Sequence, residues 1–433
     1  MDRALADIIP ESPLAGPPEG ETLALHPRRV LLTGYRSHPH VGGQGVYLRE
    51  LAIGLCDLGH DVTIASGPPY PDVPEGVALV KFPALNLFEE KNAFLALRPG
   101  HLFSKADRSE WLAHNTGAFG ELLAFSYRLQ AWLRGQSGRF DVLHDNQTLM
   151  PPFARISRTL PVIATIHHPV AIDRGFAIDG VSTWWEKLLT RRWYGFTGQQ
   201  AKTMRQLPYL LAVSEAARDS HCAHYGMEAE QAMVSFNGID HAVFRPDDGT
   251  ERASNLIAAT ASADVPIKGL DVLMRAFVPL ARQYPALKLE MIGQLRDGHA
   301  KQILGEAGLM DRVTTRSGVS REEIADLYRR ASVVVCPARF EGFGFPAAEA
   351  MACGAPVVAS DGGALPEVVG DAGSIVPAGD AAALETAIRA VLNQPDMARE
   401  MGEAGMRRAR EVFCWRNHAL AASALYEKAI AAC

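Results

Sequence analysis

The 433-residue sequence has no run of eighteen apolar residues, so no segment reads as a membrane-spanning helix. It has no Cys-x-x-Cys pair and no metal-ligand spacing. Its six cysteines (Cys56, Cys222, Cys336, Cys353, Cys414 and Cys433) are scattered, several of them in apolar runs, which fits reduced thiols of a cytoplasmic protein better than a disulfide framework or a metal centre. It also lacks basic excess. With 43 Lys and Arg against 49 Asp and Glu, the formal net charge of −6 argues against a nucleic-acid partner. Residues 1–27 carry neither a basic n-region nor an apolar h-region, and their prolines, acids and small residues read as a flexible tail, not a signal peptide.

What the chain does have is apolar mass. A hydrophobic fraction of 48% over this length is enough for two domain cores. The most informative stretch is 332–366, SVVVCPARFEGFGFPAAEAMACGAPVVASDGGALP. β-branched runs at 332–335 and 356–360 enclose a Gly-rich loop and a short apolar helix, giving a strand, loop, helix, strand unit. Glu341 stands in the loop and Glu349 in the first turns of the helix, so both carboxylates can face one cleft at the carboxyl end of a strand. Gly342 and Gly344 permit close approach of backbone to a ligand. A second loop, Asp361-Gly362-Gly363-Ala364-Leu365-Pro366-Glu367, opens another helix and offers N–H groups to a phosphate.

The amino-terminal half shows the same architecture. A buried strand at 30–34, a loop with Gly42-Gly43-Gln44-Gly45, a helix over about 46–58 and a strand at 61–65 form a βαβ unit. The glycines do not follow G-x-G-x-x-G and no acid follows the second strand, which disfavours a nicotinamide oxidoreductase. Between 71 and 138 the pattern is irregular, with a helical stretch over 111–133. Strands return at 140–144, 161–166 and 209–214, and His167 directly follows the second of these, at the functional edge of such a sheet. Residues 184–205 interleave Trp184, Trp185, Trp193, Tyr194 and Phe196 with five basic residues. This segment either packs its aromatics on the domain or seats the protein peripherally on the inner face of a membrane. Asn237-Gly238 marks a domain boundary, after which further strands and helices alternate to 392, and helices follow at 397–412 and 415–430.

The spacing Glu341, seven residues, Glu349, followed by Gly362-Gly363-Ala364-Leu365-Pro366-Glu367, resembles the signature of retaining glycosyltransferases of family 4. The resemblance implies an α/β protein of GT-B fold, two Rossmann-like domains facing each other across a cleft. An acceptor-side domain would span 28–240, a donor-binding domain 241–414, and a helix over 415–433 would cross back to the first. It further implies transfer of a sugar from a nucleotide-diphosphate-sugar donor to a hydroxyl acceptor, with retention of configuration and without a cofactor or metal.

On the matching positions, Glu349 would take the ribose hydroxyls and Glu341 the sugar. His167 would face the transferred sugar. Lys268 with the N–H groups of Gly363, Ala364 and Leu365 would hold the diphosphate, and Gly43, Gly45, Phe343 and Gly344 would complete the donor site. The chain departs from the family at Ala263, where an arginine is common, and Arg339 is a candidate replacement for that phosphate cation. A sugar-nucleotide-binding protein or an epimerase on the same fold is the alternative reading.

Overall fold

The protein, described by a computed structural model over residues 26–38, 43–88, 90, 92–247, 249–261 and 264–433, is built on two parallel sheets. Ala263 and all of the expected tail except residues 26 and 27 lie outside the described residues. The first sheet contains β1 (Arg29–Gly34), β2 (Asp61–Ser66), β3 (Ala78–Lys81), β4 (Val142–Asn146), β5 (Val162–Ile166), β6 (Leu210–Ala212) and β7 (Ala232–Val234), in the order β3-β2-β1-β4-β5-β6-β7. The second contains β8 (Leu256–Thr260), β9 (Lys288–Ile292), β10 (Val313–Arg316), β11 (Val333–Cys336), β12 (Val357–Ser360) and β13 (Ser374–Val376), in the order β10-β9-β8-β11-β12-β13.

In each sheet the order reverses once, between β1 and β4 and between β8 and β11. At such a reversal the two flanking loops diverge to opposite faces and leave a crevice outside the strand ends. Lys268 follows β8 and Glu341 follows β11, so the second crevice lies between them. The central strands are buried on both faces, which is why they read as continuous apolar runs and not as alternating ones. β3 departs from that rule. It is a four-residue edge strand, only partly buried, and its short ALVK sequence carries no signal of its own.

The irregular region resolves into two helices, Lys105–Asn115 and Glu121–Leu133, where the sequence suggested one stretch over 111–133. The break is made by Gly117 in the left-handed region, and by Gly120, at which a side chain would overlap Ala113. Similarly, the helix placed at about 46–58 begins three residues earlier, at Gly43, so Gly43 and Gly45 lie in its first turn and not in the preceding loop.

The last helix, Trp415–Ala431, returns to the first sheet and is fastened there by buried polar groups. The Tyr47 hydroxyl bonds Thr165 Oγ1 (2.5 Å) and His418 Nε2 (2.9 Å). His144 bridges Thr165 and the Tyr426 hydroxyl, and His60 reaches Ser423. Arg28 and Glu427 form a bidentate pair at the edge. Beside it the two chain crossings run together, the Ile239 N–H donating to the Phe413 carbonyl.

Burial holds these histidines neutral. His144, His167 and His221 are pushed down to about 3 and His418 to about 4, in each case chiefly by loss of solvent. The unfolded chain binds their protons near pH 6.5, so their contribution to stability is complete above that pH and is lost as the pH falls toward 3. Burial works the other way on Asp145, raised to about 7, and Glu349, raised to about 8. Their contribution is complete below the ordinary carboxylate range and is lost as the pH rises through 7 to 8. The large shifts, four histidines against two acids, dominate below pH 6.5 and the acids act above it, while His60, lowered, and Glu121 and Glu367, raised, act in the same two directions. Thermal melts across pH 4 to 9 are therefore expected to peak near 6.5, and a melting temperature that stays flat from pH 6.5 to 4.5 would contradict this assignment.

Candidate active site between the two sheets

The loop after β11 is held in shape by the loop after β12. The Glu341 N–H donates to the Gly362 carbonyl (3.2 Å) and the Ala364 N–H to the Glu341 carbonyl (2.9 Å), a single parallel bridge between Glu341 and Gly363. Gly363 makes the turn at φ +65°, where a side chain would also overlap the Glu341 carbonyl. The Glu341 side chain points into the crevice and meets Lys268 across it, Nζ to Oε1 at 2.7 Å. Both side chains are largely but not wholly covered, at 25% and 19% exposed.

Glu349 lies one element further on, in the helix Phe345–Ala352 that begins at Gly344. It is half-buried, and its carboxyl accepts no hydrogen bond among the described residues. Loss of solvent raises its carboxyl to about 8, partly offset by Arg321 and reinforced by Asp240. A carboxyl kept so poorly solvated and without a partner is a vacant acceptor. The buried Cys336 thiol, at the end of β11, is pushed well up, chiefly by loss of solvent.

His167 comes from the opposite sheet. Its carbonyl lies against Gly342, where any side chain would overlap it, so the residue after Glu341 is a close contact between the two halves. The His167 ring packs edge-on to Tyr47, and Nε2 lies 2.6 Å from Asn146 Oδ1. Because the Asn146 amide nitrogen donates to the Gln44 carbonyl, its oxygen faces His167, and Nε2 must be the donor. Nδ1 of this neutral imidazole is then left as an acceptor.

Other expected contacts are occupied differently. The Ala364 N–H is committed to Glu341, so of the three N–H groups expected to hold phosphate only those of Gly363 and Leu365 lack an acceptor among the described residues. Arg339 is gripped by Asp271 through both terminal nitrogens at 2.8 Å and is not an unpaired phosphate cation. The Phe343 ring is packed among Phe236, Phe345 and Phe413 where the halves join. Gly45 is needed for the close passage of His38, and a side chain on Gly43 would only touch Phe345 across the cleft.

The sequence reading missed three ties between the halves. Ser214 Oγ donates to the Gly342 carbonyl (2.6 Å), and Arg321 joins Glu50 (2.8 Å) and Asp240 (3.2 Å). Glu367 accepts the N–H groups of Glu215 and Ala216. Only Glu367, inside the Gly-Gly loop, stood in a motif that could have drawn attention.

The family model for group 1 glycosyl transferases matches residues 247–408, and that for glycosyltransferase family 4 matches residues 41–243. An MMP α-(1→4)-mannosyltransferase of Mycolicibacterium hassiacum is 42% identical over 409 residues, 93% of this chain and 98% of that protein. A D-inositol 3-phosphate glycosyltransferase of Streptomyces coelicolor is 27% identical over 99% of this chain and 97% of its own. Among solved structures, a sucrose-phosphate synthase from Thermosynechococcus elongatus superposes with a TM-score of 0.71 at 23% identity, covering 94% of this chain and 100% of the other. The Anabaena HepE complex with UDP-glucose does so with 0.65 at 16% identity, covering 91% and 99%. These likenesses mark the GT-B fold. One matched region falls on each sheet and a relative at 42% identity spans nearly all of both chains, so this chain belongs to the group 1 glycosyltransferases.

Proposed function

We propose that the protein transfers a mannosyl residue, with retention of configuration, from a nucleoside-diphosphate mannose to the 4-hydroxyl of an acceptor sugar. The observation that supports the transfer chemistry is the Lys268–Glu341 pair in the crevice between the sheets, with the His167 carbonyl against the neighbouring Gly342. The sugar and linkage come from the name of the M. hassiacum relative. The nucleotide donor is supported by the solved relative that holds UDP-glucose.

Departure of a nucleoside diphosphate leaves negative charge on phosphate and positive charge on the sugar ring. Lys268 exchanges Glu341 for the diphosphate, which the Gly363 and Leu365 N–H groups also face, and so stabilises the leaving group without a metal ion. Glu341, released, accepts hydrogen bonds from the sugar hydroxyls and lies near the developing cation. Glu349 takes the ribose hydroxyls, and His167 Nδ1 accepts from the transferred sugar. The bond from anomeric carbon to phosphate oxygen breaks, and a bond to the acceptor oxygen forms on the same face. The acceptor proton passes to the departing phosphate. The ties between the halves exclude water from this step.

A second surface bears on where the acceptor is met. In the helix Trp184–Trp193 no residue is buried, and Trp184 and Trp185 are 75% and 53% exposed, with Leu188 and Leu189 also exposed. Trp193 and Phe196 do pack inward, on Phe119, so the segment divides its aromatics between the domain and solvent. Lys187 and Arg191 flank the exposed face, whereas Arg192 is bonded to Thr116. We propose peripheral contact with an anionic bilayer here, since no helix among the described residues is long and apolar enough to cross one.

Incubation with GDP-, UDP-, ADP- and dTDP-mannose and an α-mannoside acceptor is expected to release one nucleoside diphosphate and to form an α-(1→4) linkage, read by proton NMR of the anomeric signal. A β-linked product would overturn retention, and an altered donor sugar with no acceptor product would favour the epimerase. Sedimentation with phosphatidylglycerol vesicles is expected to fall off when Trp184→Ala and Arg191→Glu are combined. Absent or unchanged binding would remove the membrane contact.

A further inference from the structure

The helix Glu215–Tyr225 starts at the carboxyl end of β6, in the acceptor-side half. Its first three N–H groups have no acceptor within the helix, as in any α-helix. Ser214 Oγ accepts the third, from Ala217, at 2.9 Å. The first two, of Glu215 and Ala216, are accepted by the two carboxylate oxygens of Glu367 at 2.8 and 2.7 Å, and Glu367 belongs to the other half of the molecule. The cap of this helix is thus divided between the two halves.

Glu367 is not free to follow either partner. It lies in the short helix Leu365–Val369, directly after the loop bridged to Glu341, and the Arg408 guanidinium grips the carbonyls of Glu367 and Val368 from behind at 2.6 and 2.8 Å. A shift of the Gly362–Leu365 loop therefore shifts Glu367. Ser214 adds a parallel tie, since the hydroxyl that caps Ala217 also donates to the carbonyl of Gly342, next to Glu341. Two neighbouring residues of one helix cap thus reach both loops of the donor side.

We infer that Glu367 is a positioning residue for transfer, a latch that couples the donor-side loops to the acceptor-side half by capping the helix Glu215–Tyr225 only in the closed arrangement. This rests on the transferase reading above. It differs from the donor contacts in that it touches neither substrate and acts by holding two surfaces in register.

The test uses Glu367→Ala and Glu367→Gln, the latter keeping shape while offering an amide that can satisfy only one of the two N–H groups. Three quantities are measured: nucleoside diphosphate affinity by calorimetry, the steady-state constants for transfer, and the ratio of donor hydrolysis to transfer. Loss of two charge-assisted bonds is expected to lower kcat for transfer about tenfold or more and to raise the hydrolysis ratio, with nucleotide Kd unchanged within about twofold. Small-angle scattering is expected to show both variants more open than the parent. Unchanged kcat and dimensions, or a nucleotide Kd that weakens as much as kcat falls, would overturn the latch. Should Glu367→Ala not fold, Glu367→Gln and Ser214→Ala carry the test. If no donor is turned over at all, the transferase reading fails, while scattering of parent and variants still decides the latch.

Discussion

The cleft depends on one close passage, that of Gly342 beneath the carbonyl of His167. A side chain at 342 would push the two sheets apart, and with them His167 from the groups of the donor side. Given that contact, Glu341 is fixed on one side of it by its bridge to Gly363, and the Gly342 carbonyl receives Ser214 from the other half. Lys268 can then reach Glu341 because both leave strands that flank the reversal between β8 and β11. Topology provides the crevice, and a missing side chain provides its depth.

Under the proposed transfer, electrostatics at this point serve exchange. The Lys268–Glu341 pair is internal to the donor side and neutral as a unit, so the crevice carries little unpaired charge before a ligand enters. A diphosphate and a sugar offer the two partners better complements simultaneously, one anionic and one hydroxylic. Glu349 and His167 are prepared differently. Burial keeps both near neutrality, and each retains an acceptor that the protein leaves unused. Neutral acceptors in a poorly solvated site suit hydroxyl groups, which is what a ribose and a hexose present.

The fold was legible because it is written in apolar runs. Eleven of the thirteen strands fall on short apolar segments that the sequence marks, and the exceptions are the two edge strands of the first sheet, β3, partly exposed with little to bury, and β7, only three residues long. The positions of Glu341, Glu349, Lys268 and His167 could be read from motif and strand end. Their pairing could not, since the Lys268–Glu341 contact joins loops that are separate in sequence and meet only through strand order. Arg339 looked like a phosphate cation because its partner, Asp271, sits 68 positions away, and the Ala364 N–H looked unoccupied because a single bridge leaves no pattern. The Ser214 hydroxyl caps Ala217, three residues on, but its second bond, to the Gly342 carbonyl, joins residues 128 positions apart and leaves no local signal.

The account stands on a nucleoside-diphosphate-sugar site formed around Lys268, Glu341 and Glu349. It is tested most directly by thermal stabilisation with UDP, GDP, ADP, dTDP and their mannose conjugates, on the parent and on Glu349→Ala. The account predicts that one base stabilises the parent selectively, and that the variant needs about tenfold or more nucleotide for the same shift, as expected when ribose loses a carboxyl partner. Equal stabilisation of parent and variant would contradict the assignment of Glu349, and no stabilisation by any nucleotide would contradict the site itself.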